Sequence, residues 1–192
     1  MPSSHSIKKI LENIGEGFFS KKKIPTANQF EISENDPSDV IFAKNLNNSG
    51  GKFFYCKNEK KIKTTLDKLL SHLKISHLYC IDEKIQKKLH DLNISFESSN
   101  EDECQGVITS CEHIIADQGK VLLSSKQIKN KKPSNFPNEL IIISYTSQIV
   151  LRINDAMRAI TKKYSKKTPS NITTIGNGMK NLNVIIIEDF KS

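Results

Sequence analysis

Along most of the chain, apolar residues recur either three and four positions apart or in short uninterrupted runs, and the two patterns take turns. The first spacing puts side chains on one face of a helix; the second suits a strand buried on both faces. Ile7, Ile10, Leu11 and Ile14 share a face and predict a short helix over 6–14, with Gly15 as its left-handed stop. Residues 16–36 lose periodicity and collect Lys, Pro and Asn, which reads as an extended connection. Pro37-Ser38-Asp39 opens the next helix, whose apolar face runs over 40–46, and Gly50-Gly51 closes it before the strand-length run Lys52–Cys56. The expected organisation is an N-terminal helix and linker over 1–38, followed by one α/β domain over 39–192.

Within that domain, Asn58 is placed to cap a helix carrying Ile62, Leu66, Leu69, Leu70 and Leu73, and 77–81 reads as a strand. Asp82 caps a helix with Ile85, Leu89 and Leu92, and 94–97 reads as a further strand. Such βα repeats need right-handed crossovers and build a parallel sheet with helices on its faces. The order then changes. The runs 106–109 and Lys120–Ser124, separated by a turn at Gln118-Gly119 with no room for an ordinary helix, predict an antiparallel pair. Glu139–Tyr145 restores the rhythm, followed by a helix with Ile149, Ile153, Met157 and Ile160 on one face. Pro169 breaks its continuation, and 171–175 and 183–188 finish as strands. The fold class is therefore α/β, with a mixed, mostly parallel sheet and helices on both faces.

At 192 residues, 36% hydrophobic and 26% charged, the chain has the composition of one folded globular domain. No apolar run approaches the length needed to span a bilayer, and the first residues lack the continuous apolar segment of a secretory signal. A cytoplasmic location is expected. Cys56, Cys80, Cys104 and Cys111 form no CxxC pair, so reduced thiols are expected. Cys104 and Cys111 with His113 match no zinc spacing and lack a fourth ligand, and the cysteines have none of the iron–sulfur cluster spacings. Neither metal group is expected, and any other cofactor is left unspecified. The net charge of +8 would suit a polyanion, but of 29 basic residues only Arg152 and Arg158 are arginines, and the lysines are scattered without interleaved aromatics. Specific nucleic-acid binding is not expected. No Walker loop, GxGxxG, HExxH or GxSxG is present.

One segment has a distinctive order: a strand ending in Thr109, the acidic Glu112, then Ile115-Ala116-Asp117-Gln118-Gly119 and the apolar run Val121-Leu122-Leu123. It resembles the central motif of the LUD (lactate utilisation) domain, in which Ile-Ala-Glu-Thr-Gly leads into an apolar strand. Pro137, the run 140–143, Gln148-Ile149-Val150, Asp155-Ala156 and the run 184–188 recur at that family's intervals, and Phe42-Ala43 and Gly50-Gly51-Lys52 are similar to its opening helix and turn. The resemblance spans 39–190 and implies the NagB/RpiA/CoA-transferase-like fold. It also implies kinship with lactate-utilisation proteins of the protein C type, components of an iron–sulfur system that oxidises L-lactate to pyruvate. The cysteine-rich tail of the B type has no counterpart here. Two departures stand out. The family's Glu-Thr-Gly is Asp117-Gln118-Gly119, and its C-terminal polar loop is shortened to Gly176-Asn177-Gly178-Met179-Lys180-Asn181.

Open α/β sheets bind ligands in the crevice at the strands' C-terminal ends. The candidate site there comprises Thr109, Ser110, Glu112, Asp117, Gln118 and Gly119 on one side, and Gly176, Asn177 and Gly178 on the other. Backbone amides of such turns cradle anions, and Asp117 or Glu112 would serve as acid, base or, by analogy with coenzyme A transferases of this fold, carboxylate nucleophile. The plainer alternative is that the glycines make turns and Asp117 bonds to local backbone. His113 beside Glu112 is expected to point to the opposite face of an extended chain, and Ser124-Ser125-Lys126 to form a solvated loop. The ligand implied is a small organic acid or a phosphorylated molecule, and the partners implied are iron–sulfur lactate-utilisation proteins. The alternative function is a divergent, non-catalytic relative acting as a protein- or small-anion-binding module.

Overall fold

The computed structural model describes residues 30–129, 131–165 and 167–189. The helix expected over 6–14 and most of the connection after it lie outside the described residues. Phe30 exchanges hydrogen bonds with the Asn48 side chain (3.2 and 3.0 Å), and Lys44 bonds Glu31 O and Asp36 at 2.8 and 2.6 Å. These contacts lay residues 30–36 along helix α1 (Ser38–Asn48). After it come strand β1 (Lys52–Cys56), helix α2 (Lys60–Leu73), β2 (Leu78–Tyr79), α3 (Glu83–Asp91) and β3 (Gly106–Ser110). Then follow β4 (His113–Ile115), β5 (Lys120–Ser124), the single turn α4 (Ser125–Ile128), β6 (Glu139–Tyr145), β7 (Ile149–Val150), α5 (Ile153–Lys163), β8 (Ile172–Ile175) and β9 (Asn181–Ile187).

The strands form two sheets. The first is wholly parallel, in the order β1-β9-β6-β3-β2, and the second is mixed, in the order β7-β4-β5-β8. Alternation along the parallel strands sends Phe53, Val107, Leu140, Ile142, Val184 and Ile186 to one face, against α1 and the second sheet. Phe54, Ile108, Ile141, Ile143, Ile185 and Ile187 go to the other, against α2 and α3. Helix α5 closes the far side of the second sheet, packing Ala156 and Ile160 on Ile115 and Leu122. Helix α3 starts where expected, Asp82 accepting from Lys84 N at 3.0 Å. No helix among the described residues is long and apolar enough to cross a membrane.

Several element readings are corrected. The run starting at Gly106 pairs in parallel with β2 and β6; the antiparallel partner of β5 is a separate short strand, β4. Ile149 and Val150 do not begin the following helix but add a parallel strand beside β4, and α5 starts at Ile153. Residues 94–97 contribute only an isolated bridge from Glu97 to Tyr79. No side chain caps α2, where Asn58 contributes only its carbonyl, to Lys61 N.

Candidate functional site

Strand β3 delivers Ser110 to the C-terminal edge of the parallel sheet, where it pairs with Ile143 near the end of β6. Its position is set by Asp82, a buried carboxylate whose second oxygen accepts from Ser110 N (2.9 Å), Ser110 Oγ (2.5 Å) and Thr109 Oγ1 (3.2 Å) while the first caps α3. The chain then bends through Cys111 and Glu112 into β4. Ser110, Cys111, Glu112 and His113 thereby line one wall of a cavity of about 420 Å³. Lys84, Ile85 and Lys88 of α3, Ile143 and Tyr145 of β6, Gln148, Gln127 and Lys163 complete it. Its place at the strands' C-terminal ends is where open sheets hold ligands.

Glu112 is almost wholly buried. Its Oε1 accepts from Ser124 Oγ (2.7 Å), Gln127 Nε2 (3.1 Å) and Tyr164 OH (3.0 Å), and its Oε2 from Lys163 Nζ (2.8 Å) and Tyr164 OH (3.2 Å). Burial by itself would raise its pKa. The bonds from Lys163, Ser124 and Gln127, with the Lys163 charge, overcome that and hold it at about 2. A carboxylate so engaged stays ionised at neutral pH and has little capacity left for acid–base work or attack on a carbonyl. Its effect is to tie the β3–β4 bend to α4 and to the end of α5. Ser124 is buried and closes a capping box on α4, so this segment is not the solvated loop expected from its polarity.

His113 borders the same cavity as Glu112, contrary to the alternation expected, because the bend at Glu112 precedes the first residue of β4. Burial lowers the imidazole pKa below its ordinary value. Cys111 also reaches the wall, but burial pushes its thiol up to about 12, so it stays protonated and packs as a small apolar group, its Sγ 3.4 Å from Ser144 Oγ. Three lysines, Lys84, Lys88 and Lys163, line the cavity together with Glu112. Lys88 pairs with Glu59, which also accepts from Tyr145 OH at 2.6 Å. Lys84 pairs with no carboxylate among the described residues.

The other sequence candidates lie elsewhere. Thr109 is buried beneath Ser110 on Asp82. Asp117 and Gln118 are exposed on a 3-10 turn that packs against α1, where Asn45 Nδ2 donates to Ala116 O at 2.8 Å. Gly119 closes that turn at φ 59°. Gly176, Asn177 and Gly178 precede β9, whose first residue pairs with the first of β6, so they sit at the opposite, N-terminal edge of the sheet from Ser110. Asn177 there donates to Ser49 O at 2.6 Å and accepts from Leu182 N at 3.1 Å. Cys104 precedes β3 and Cys111 follows it, so the strand separates them. The sequence reading missed Lys84, Lys163 and Gln148 as cavity residues. Only Gln148 had carried a signal, as part of a segment matching the family's intervals.

Residues 83–189 match the family model of the LUD domain. They include every cavity residue named above, and the chain belongs to the LUD-domain family. A crystal structure of a DUF162 family protein from Deinococcus radiodurans has the same fold, with a TM-score of 0.58 at 15% sequence identity over 79% of this chain and 96% of that one. No curated protein matches the chain significantly.

Proposed function

We propose that this protein holds a small organic or phosphorylated anion in the cavity between β3, β6 and α3. On this reading it is of the lactate-utilisation protein C type and works with iron–sulfur partners in oxidising L-lactate to pyruvate. The observation that supports it best is the charge of the wall: Lys88 pairs with Glu59 and Lys163 with Glu112, which leaves Lys84 without an anionic partner among the described residues. An uncompensated lysine at the rim of a site favours an anion there, and the cavity volume of about 420 Å³ suits a small molecule.

The second reading, a small-anion-binding module without chemistry of its own, is favoured by the state of the two candidate carboxylates. Glu112 is consumed by four side-chain partners, and Asp117 is exposed on a turn against α1. Lactate-dependent reduction of an acceptor dye, in the presence of cysteine-rich partners encoded alongside, would separate the two.

Calorimetric titration with L-lactate, pyruvate, inorganic phosphate and a sugar phosphate tests the site itself. At least one anion is expected to bind, and Lys84→Ala is expected to weaken it about tenfold, the effect of removing one charged hydrogen bond. Asp117→Asn is expected to keep the affinity. Loss of binding in Asp117→Asn but not in Lys84→Ala would move the site to the α1-facing turn, and no binding by any anion would overturn the reading.

A further inference from the structure

The cavity contains an acceptor that an anion alone does not use. His113 Nδ1 lies 3.2 Å from the backbone oxygen of Gln148, which accepts only, so Nδ1 carries the ring proton and Nε2 keeps its lone pair. That carbonyl is held in place by the Gln148 side chain. Its Nε2 donates to Cys111 O (2.7 Å) and Glu112 O (3.3 Å), while its Oε1 accepts from Tyr145 N (3.0 Å) and Ser144 Oγ (3.1 Å). One glutamine thus joins the end of β6 to the β3–β4 bend and sets the orientation of the imidazole, as outer hydrogen bonds do for ligating histidines. Among the described residues Nε2 has no protein partner.

The groups around the ring are otherwise committed. The Ser110 hydroxyl proton goes to Asp82, that of Tyr145 to Glu59, and the Glu112 oxygens are filled. What the wall offers a ligand is ammonium donors on Lys84 and Lys163 and a fixed lone pair on His113. The complement is an anion with a hydrogen-bond donor close to its charged end.

Resting on the anion-site reading above, we propose that His113 Nε2 is the hydrogen-bond acceptor that selects, among small anions held beside Lys84, those carrying a hydroxyl or similar donor next to the anionic group. A ligand whose neighbouring group only accepts would bring a second lone pair against Nε2 and lose affinity.

The test is calorimetric titration of the full chain with L-lactate, propionate and pyruvate, which carry a hydroxyl, a hydrogen and an oxo group at the second carbon. L-lactate is expected to bind about tenfold more tightly than the other two. In His113→Phe, which keeps a ring but no acceptor, the preference should fall to near unity, and His113→Gln, whose side-chain carbonyl can replace the lone pair, should restore part of it. Equal binding of L-lactate and propionate by the native protein, or a preference that survives in His113→Phe, would overturn the proposal and leave the anion site standing. Failure of all three carboxylates to bind would overturn the proposal, and failure of inorganic phosphate and a sugar phosphate as well would overturn the anion site with it. Should the variants not fold, long-range proton–nitrogen spectra of the native protein suffice. They should show the His113 Nε2 unprotonated and shifted by L-lactate but not by propionate. A proton resident on Nε2, or equal shifts with both ligands, would overturn the proposal.

Discussion

The residue that most clearly separates chemistry from architecture is Glu112. Its carboxylate is held at about 2 against an ordinary value of 4.5, so it contributes stability that is fully present above the unfolded value and is lost as pH falls through about 2. Over that window the linked stabilisation is about 3 kcal/mol. Glu112→Gln removes the charge while keeping the shape, and is expected to destabilise the protein by about 2–4 kcal/mol at pH 7. In urea denaturation curves the gap between native protein and variant should narrow as pH falls from 5 towards 2. A gap independent of pH would show that packing, not ionisation, sets the cost. The sequence singled out Glu112 but not its surroundings. Ser124, Gln127, Lys163 and Tyr164 lie 12 to 52 positions away along the chain, and Lys163 carried no mark to set it apart from the other scattered lysines.

At the scale of elements, the turn after β4 is shaped by helix α1. Gly119 has φ 59°, and a Cβ there would lie 2.8 Å from Asn45 C and Leu46 N. Gly119→Ala is expected to cost about 2–4 kcal/mol, combining left-handed strain with backbone overlap. Gly178, at φ 104° with nothing within 4 Å of its Cβ position, should cost about 1–2 kcal/mol in the same substitution. Thermal melts of the two variants compare them, and a Gly178→Ala loss as large as that of Gly119→Ala would contradict the packing argument. Long elements were legible: α1, α3, β1 and β6 follow from their apolar spacing and punctuation. Strands of two or three residues were not. Ile149-Val150 continues the apolar spacing of the next helix, and only its pairing with Ile114-Ile115 makes it a strand.

For the molecule as a whole, the core encloses three of the four thiols. Cys56, Cys80 and Cys111 are buried and Cys104 is partly exposed. Burial pushes Cys80, like Cys111, up to about 12. A chromogenic thiol reagent at pH 8 is therefore expected to modify one thiol quickly in the native protein and all four in denaturant, with the slow thiols reacting at the rate of opening. Rapid native modification of Cys111 would mean that the cavity wall opens far more readily than its packing implies.

The sequence by itself determined the α/β class and most of the strand and helix order, because those rest on apolar periodicity that neighbouring residues share. Through one motif it also carried the family. Only the tertiary structure decided that the strands part into two sheets, and that the glycines of 176–178 lie at the opposite edge from Ser110. It also decided that the cavity is built from Lys84, His113, Gln148 and Lys163. Those outcomes depend on pairing and burial between segments far apart in the chain, and a sequence records the residues that meet without recording where they meet.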